Sequence, residues 1–157
     1  MSIARIMMGP SGSGKSKIAE AMMAEVVSAD KLPGLYREDG SIDFSLLSDA
    51  HNQCLAKFML CVGHGLDVTV DNTNTTLVEI APYIAVANAL GATVEVVCVG
   101  FRSAVKPPRD PAIAAYTARN VHSVPEHVIF RQISNLFETF QNWPAHWPTV
   151  TFKGENQ

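Results

Sequence analysis

Eight residues near the amino end, Gly9-Pro10-Ser11-Gly12-Ser13-Gly14-Lys15-Ser16, match the spacing G-x-x-x-x-G-K-[ST] in full. Each requirement of that pattern has a physical reason. Gly9, Gly12 and Gly14 permit backbone angles that turn successive amide N–H groups toward an anion. A helix opening directly behind the loop adds its positive end. Lys15 places a compact cation on the β- and γ-phosphates of a nucleotide, and the Ser16 hydroxyl is a ligand for Mg²⁺. Pro10, Ser11 and Ser13 complete the loop. The pattern has meaning only between a strand and a helix, and both are predicted here. Residues 3–8 form an apolar run broken only by Arg5, and Ile18, Met22 and Val26 recur at helical spacing. The chemistry expected is the binding of ATP with Mg²⁺.

Two aspartates stand where a parallel sheet would present them to such a nucleotide, beyond the carboxyl ends of strands. Asp71 ends Asp67-Val68-Thr69-Val70-Asp71 and is expected to assist Mg²⁺ or the reacting groups. Asp30 ends a second short strand over residues 26–30. A carboxylate there suits a general base, provided it lies within hydrogen-bond reach of the acceptor proton. Asn72-Thr73-Asn74-Thr75 follows Asp71 directly. These four polar residues suit substrate contact, or an Asx/ST turn opening the next helix, or both.

The elements that must hold these residues alternate in type. A proline- and glycine-bearing loop over residues 31–43 precedes a helix over about 45–62, with Leu47, Cys54, Phe58 and Cys61 on its inner face. A third strand covers 67–71. Thr76-x-x-Glu79 reads as a capping box opening a helix that Gly91 closes, and Pro82 inside it predicts a kink or a late start. Residues 93–101 form the strongest strand, and 106–111 are proline-rich. Helices are expected over about 112–120 and 124–141, the second capped by Ser123-x-x-Glu126, and 148–152 reads as an edge strand. Strands alternating with helices imply crossover connections and a parallel sheet covered on both faces.

Whole-chain properties set the bounds. At 157 residues the chain is one domain's worth, and 47% hydrophobic against 17% charged residues suits a packed core rather than disorder. A net charge of −3 argues against a coat of positive charge for gripping long nucleic acid nonspecifically. Residues 102–131 nevertheless carry five Lys/Arg (Arg102, Lys106, Arg109, Arg119 and Arg131) against two acids, a basic segment suited to meeting phosphates. Cys54, Cys61 and Cys98 sit in apolar runs without paired or metal-ligand spacing, so buried free thiols and a reducing, cytoplasmic setting are expected. No segment approaches the ~18 apolar residues of a membrane span. No signal peptide is expected ahead of a functional loop that begins at Gly9.

With these residues placed, the sequence resembles the polynucleotide 5′-hydroxyl kinase group of P-loop kinases. The resemblance rests on the phosphate loop, Ser28-Ala29-Asp30, Ala50-His51, Val70-Asp71-Asn72-Thr73-Asn74-Thr75, Ala81-Pro82-Tyr83 and Arg119-Asn120-Val121-His122-Ser123-Val124-Pro125. It implies an α/β protein with the three-layer α/β/α P-loop NTPase fold: a parallel five-stranded sheet and a helical lid over about 102–131, in a single domain spanning 1–157. It implies ATP-dependent phosphorylation of a DNA or RNA 5′-hydroxyl. In that reading Asp30 is the general base, Asp71 helps hold the acceptor end, and Arg119 closes over the phosphates. Arg109 and Arg131 are lesser candidates. Phage end-repair kinases carry an arginine three residues beyond the base, where this chain has Pro33 and only Arg37 nearby as a substitute. Their second lid arginine falls at Ser123 here.

Two other readings stay open at this point. One is a kinase for a small acceptor such as a nucleoside or sugar. The other is a regulatory protein switched by nucleotide occupancy, although such a switch has no need of a base at Asp30.

Overall fold

A computed structural model describes residues 1–101 and 112–154. Five parallel strands make one sheet: β1 Ile3–Met8, β2 Glu25–Val27, β3 Val68–Val70, β4 Thr93–Val99 and β5 Val150–Lys153, in the order β2-β3-β1-β4-β5. Helices α1 Lys15–Glu20, α2 Leu47–Gly63, α3 Leu77–Ala89, α4 Ala112–Arg119 and α5 Glu126–Gln141 flank it. The strand carrying the phosphate loop, β1, is therefore central, with β3 on one side and β4 on the other.

Alternation along β1 divides the interior in two. Ala4, Ile6 and Met8 join the main core with Phe58 of α2, Ile80 of α3 and Ile133 of α5. Met7 points to the opposite face, where Ala19 of α1 packs with Val97 and Val99, flanked by Ile18 and Met22. These are the three layers expected, with the thinner one supplied by a helix of only six residues. The three cysteines are buried and free. Burial pushes the Cys98 thiol up to about 12, so it stays protonated at neutral pH.

Several boundaries differ from the sequence expectation, each for a local reason. The Ile18/Met22/Val26 spacing suggested a longer first helix, but α1 ends at Glu20, Met23 adopts a left-handed φ of 50°, and Val26 belongs to β2. Asp30 does not end a strand. It lies in a 3₁₀ turn, Ala29–Lys31, opened by Ser28, whose hydroxyl accepts from the Asp30 N–H. Helix α3 starts at Leu77, ahead of Pro82, with both halves of the Thr76/Glu79 capping box in place. No late start is needed, because Pro82 sits on the exposed face with Val78, whose carbonyl loses its helical donor. The Ser123 cap is a correction. Pro125 occupies the N-cap of α5, no side chain caps it, and Ser123 is itself in the left-handed region at φ 52°. Of the expected lid, residues 102–111, including Arg102, Lys106 and Arg109, lie outside the described residues.

Candidate active site

The phosphate loop emerges from β1 and is held by its neighbours at defined points. Gly9 N–H donates to the Thr73 carbonyl at 2.9 Å, joining this loop to the one after β3. A Cβ at Gly9 would stand 2.3 Å from the Val99 carbonyl oxygen, and one at Gly12 would stand 2.1 Å from that of Tyr116. Glycine is required at both because β4 and α4 press directly on the loop. Gly14 has open space around its missing Cβ and leads straight into α1, whose first-turn amides have no helical carbonyl to bond.

Lys15 is only 8% exposed although charged. Its Nζ donates to the Pro10 carbonyl at 3.3 Å. Burial lowers its pKa, while Asp71 and Asp30 favour the charged form in opposition. A buried ammonium at the end of a glycine loop, with the first-turn amides of α1 behind it, is an arrangement able to receive an anion. Two further polar atoms in this region, Asp71 Oδ1 and Ser13 Oγ, are buried with no hydrogen-bond partner. Both residues line the same cavity, so these atoms are open to a ligand or to water there.

Asp30 is half-exposed and more elaborately held. Its Oδ1 accepts from the Tyr36 hydroxyl at 2.6 Å. Its Oδ2 lies 3.7 Å from His122 Nε2. The Tyr36 and His122 rings stack on each other, 4.4 Å apart and within 14° of parallel. Burial, then the bond to Asp30, raises the Tyr36 pKa well above its usual value, so its hydroxyl remains a donor. Tyr36 comes from the loop after β2 and His122 from the turn between α4 and α5. Neither was assigned a role from sequence, although His122 falls within the motif that carried the resemblance.

Two cavities meet at Asp30. One, about 690 Å³, is lined by the phosphate loop from Ser11 to Ser16, by Asp71, and by Arg119 and Asn120 at the end of α4. The other, about 700 Å³, is lined by Tyr36, Phe44, His51, Arg131 and Gln132 among others. Ser11, Asp30, Asn72, Thr73, His122 and Val124 border both. Arg119 stands with its guanidinium 5.4 Å from the centre of the Tyr116 ring. Tyr116 is anchored through its hydroxyl, which donates to the Gly100 carbonyl. Arg131 borders only the second cavity.

Other sequence candidates are placed elsewhere. Asn74 is 3% exposed and its amide donates to the Met7 carbonyl at 2.8 Å, so it braces β1 rather than facing a substrate. Asn72 touches both cavities but is likewise spent on structure. Its Oδ1 accepts from the Ala29 N–H at 2.9 Å and the Ser28 hydroxyl at 3.4 Å, and its Nδ2 donates to the Tyr83 hydroxyl at 3.4 Å. It thereby fixes the turn bearing Asp30. Arg37 pairs with Asp43 at 3.5 Å and borders neither cavity. It is not brought to the site.

Among the described residues no group of three or more His, Cys, Asp or Glu side chains could hold a metal by itself. Ser16 and Asp71, which border the first cavity, offer instead two oxygen donors of the kind a Mg²⁺ would take, and the unpartnered Asp71 Oδ1 is compatible with that role. No described helix is long and apolar enough to cross a membrane.

Solved structures share this architecture at low sequence identity. The chain aligns with a component of the Pnkp1/Rnl/Hen1 RNA repair complex at a TM-score of 0.71 and 15% identity, over 91% of its own length. It spans 46% of that longer chain. A gluconokinase from Sinorhizobium meliloti matches at 0.59 and 18% identity, covering 98% of this chain and 83% of the other. The Mycobacterium tuberculosis APS kinase CysC, in its complex with AMPPNP and APS, matches at 0.56 and 16%, covering 99% and 90%. These likenesses show a P-loop kinase-like fold. The sequence matches no curated protein. A family model described as an AAA domain matches residues 5–139, from β1 to the last turn of α5. The chain belongs to that AAA domain family.

Proposed function

We propose that the protein is an ATP-dependent phosphotransferase that moves the γ-phosphate of ATP to the 5′-hydroxyl of a polynucleotide end. The observation that carries this reading is the meeting of two cavities at Asp30. One contains the phosphate loop and the other has room for an acceptor. A carboxylate at their junction is where a hydroxyl entering from one side would lose its proton while attacking a phosphorus arriving from the other.

In this mechanism Lys15 and the loop amides hold the phosphate tail and neutralise its charge. Ser16 and Asp71 would hold Mg²⁺, which when bound screens the phosphate oxygens. Tyr36 donates to Asp30 Oδ1, orienting the carboxylate so that Oδ2 is the oxygen available to the acceptor hydroxyl. Asp30 takes the hydroxyl proton as the new oxygen–phosphorus bond forms and the bond to ADP breaks. Arg119, which lines the nucleotide cavity, supplies positive charge to the transferring group. The match to a chain of an RNA repair complex supports a nucleic-acid acceptor.

A small-molecule acceptor is the second reading, and a specific observation favours it. Of the described residues lining the acceptor cavity, Arg131 is the one Lys or Arg, while Arg37 is turned away and Asp39 and Glu79 bring carboxylates. That is a sparse lining for a phosphodiester backbone. An acceptor panel with terminally labelled ATP and Mg²⁺ decides between them. Label on a 5′-hydroxyl oligonucleotide is expected. Label confined to a nucleoside or sugar would assign the small acceptor instead.

A further inference from the structure

Helix α5 is stitched to both functional loops by one polar face. Gln132, Asn135 and Thr139, spaced so as to line one side of the helix, each bond to a loop residue. Thr139 Oγ1 donates to the Thr75 carbonyl at 2.8 Å, and Asn135 Nδ2 to the Thr75 hydroxyl at 3.5 Å. Gln132 reaches the phosphate loop itself. Its Oε1 accepts from the Ser11 N–H at 2.8 Å and its Nε2 donates to the Ser11 hydroxyl at 3.2 Å. Ser11 differs from the rest of the loop in position. Residues Gly12 to Ser16 border only the nucleotide cavity, whereas Ser11 borders both, and Gln132 forms part of the acceptor wall.

We propose that Gln132 is a positioning residue for phosphoryl transfer: by clasping Ser11 at the junction of the cavities, it fixes the loop where the terminal phosphate lies. This rests on the phosphotransferase reading above, though not on which acceptor is used. A carboxamide, with an acceptor oxygen beside a donor nitrogen, satisfies the Ser11 N–H and hydroxyl at once, leaving neither free to turn into the path of transfer. The consequence is selective. Of the loop residues Ser11 alone reaches the acceptor cavity, so in this proposal loosening it acts on the phosphate that ATP has and ADP lacks, and on turnover, while sparing ADP.

The test compares ATP and ADP affinity, and turnover, in the wild type and in Gln132→Met, Gln132→Glu and Thr139→Val. Gln132→Met keeps the volume and removes both bonds, and weaker ATP binding by about tenfold is expected, with ADP within about twofold. Gln132→Glu still accepts from the Ser11 N–H but brings a negative charge to the terminal phosphate, so its ATP affinity should fall below that of Gln132→Met. It also serves if the methionine variant does not fold. Thr139→Val cuts the structural rung only and should lower thermal stability without separating the two nucleotides. Equal effects on ATP and ADP in the Gln132 variants, or no effect in either, would overturn the proposal alone. A wild type that binds neither nucleotide would instead remove the phosphotransferase reading, and this one with it.

Discussion

Asp30 owes its place to three other side chains. Ser28 caps its turn, Asn72 pins the preceding backbone, and Tyr36 occupies one of its oxygens. This arrangement separates two variants that sequence alone would not distinguish. Asp30→Asn removes the proposed proton acceptor, and turnover should drop by about 10²-fold or more with ATP affinity nearly unchanged. Tyr36→Phe leaves the base and loses only an orienting bond, so the drop should be about tenfold at most. Steady-state rates beside nucleotide titrations check both. Equal turnover in Asp30→Asn and the wild type would remove Asp30 as the base. The loop Gly9 to Ser16 was legible in the sequence because its residue types stand at fixed spacing, and Asp71 and Asp30 because each follows a short apolar run, although Asp30 lies in a 3₁₀ turn and not at a strand end. Tyr36 and Gln132 were not. Each lies far along the chain from the group it holds or in an irregular loop, so only tertiary packing makes the pairing visible.

At the scale of elements, the turn between α4 and α5 matters most, since it presents Arg119 on one side and His122 on the other. A single amide spans it. Asn120 Oδ1 accepts from the Val124 N–H at 2.6 Å, while Nδ2 donates to the Thr117 and Val124 carbonyls at 2.8 and 3.2 Å. Asn120→Ala breaks all three and should cost about 1–3 kcal/mol of stability. It should also lower turnover by releasing the turn. Denaturant unfolding together with rate measurements would show it, and unchanged stability would mean that the turn is held by packing alone. The elements themselves were readable where the local code was strong: the Val-rich run of β4, the Thr76/Glu79 box of α3 and the apolar stripe of α5. They were misread where two codes overlapped. Ile18, Met22 and Val26 keep helical spacing across a turn because α1 and β2 bury apolar residues against the same face of the sheet. Ser123 and Glu126 keep capping-box spacing, but Pro125 disfavours helical backbone at Val124, so the helix opens only after the proline, which takes the N-cap with extended backbone.

At the scale of the molecule, the sheet order puts β1 at the centre, with β3 beside it and β2 next but one. The phosphate loop, Asp71 and Asp30 therefore issue from the same sheet edge, one from each of three successive strands. That convergence was implicit in the alternation of strands and helices, but the division of the space into two cavities was not. It depends on the turn between α4 and α5, from which His122 and Val124 border both cavities, and on Gln132 of α5 in the wall of the second.

Nucleotide binding in the proposed reaction depends on the buried Lys15 ammonium. Its burial lowers its pKa, so the free protein bears a desolvation cost at neutral pH that a bound anion would offset. Calorimetric titration of the wild type and Lys15→Met with ATP and Mg²⁺ measures this directly. Saturable binding is predicted for the wild type and at least about tenfold weaker binding for the variant. The nucleotide-free variant should melt no lower than the wild type. Binding that is absent from the wild type, or undiminished in Lys15→Met, would contradict a nucleotide site at Lys15.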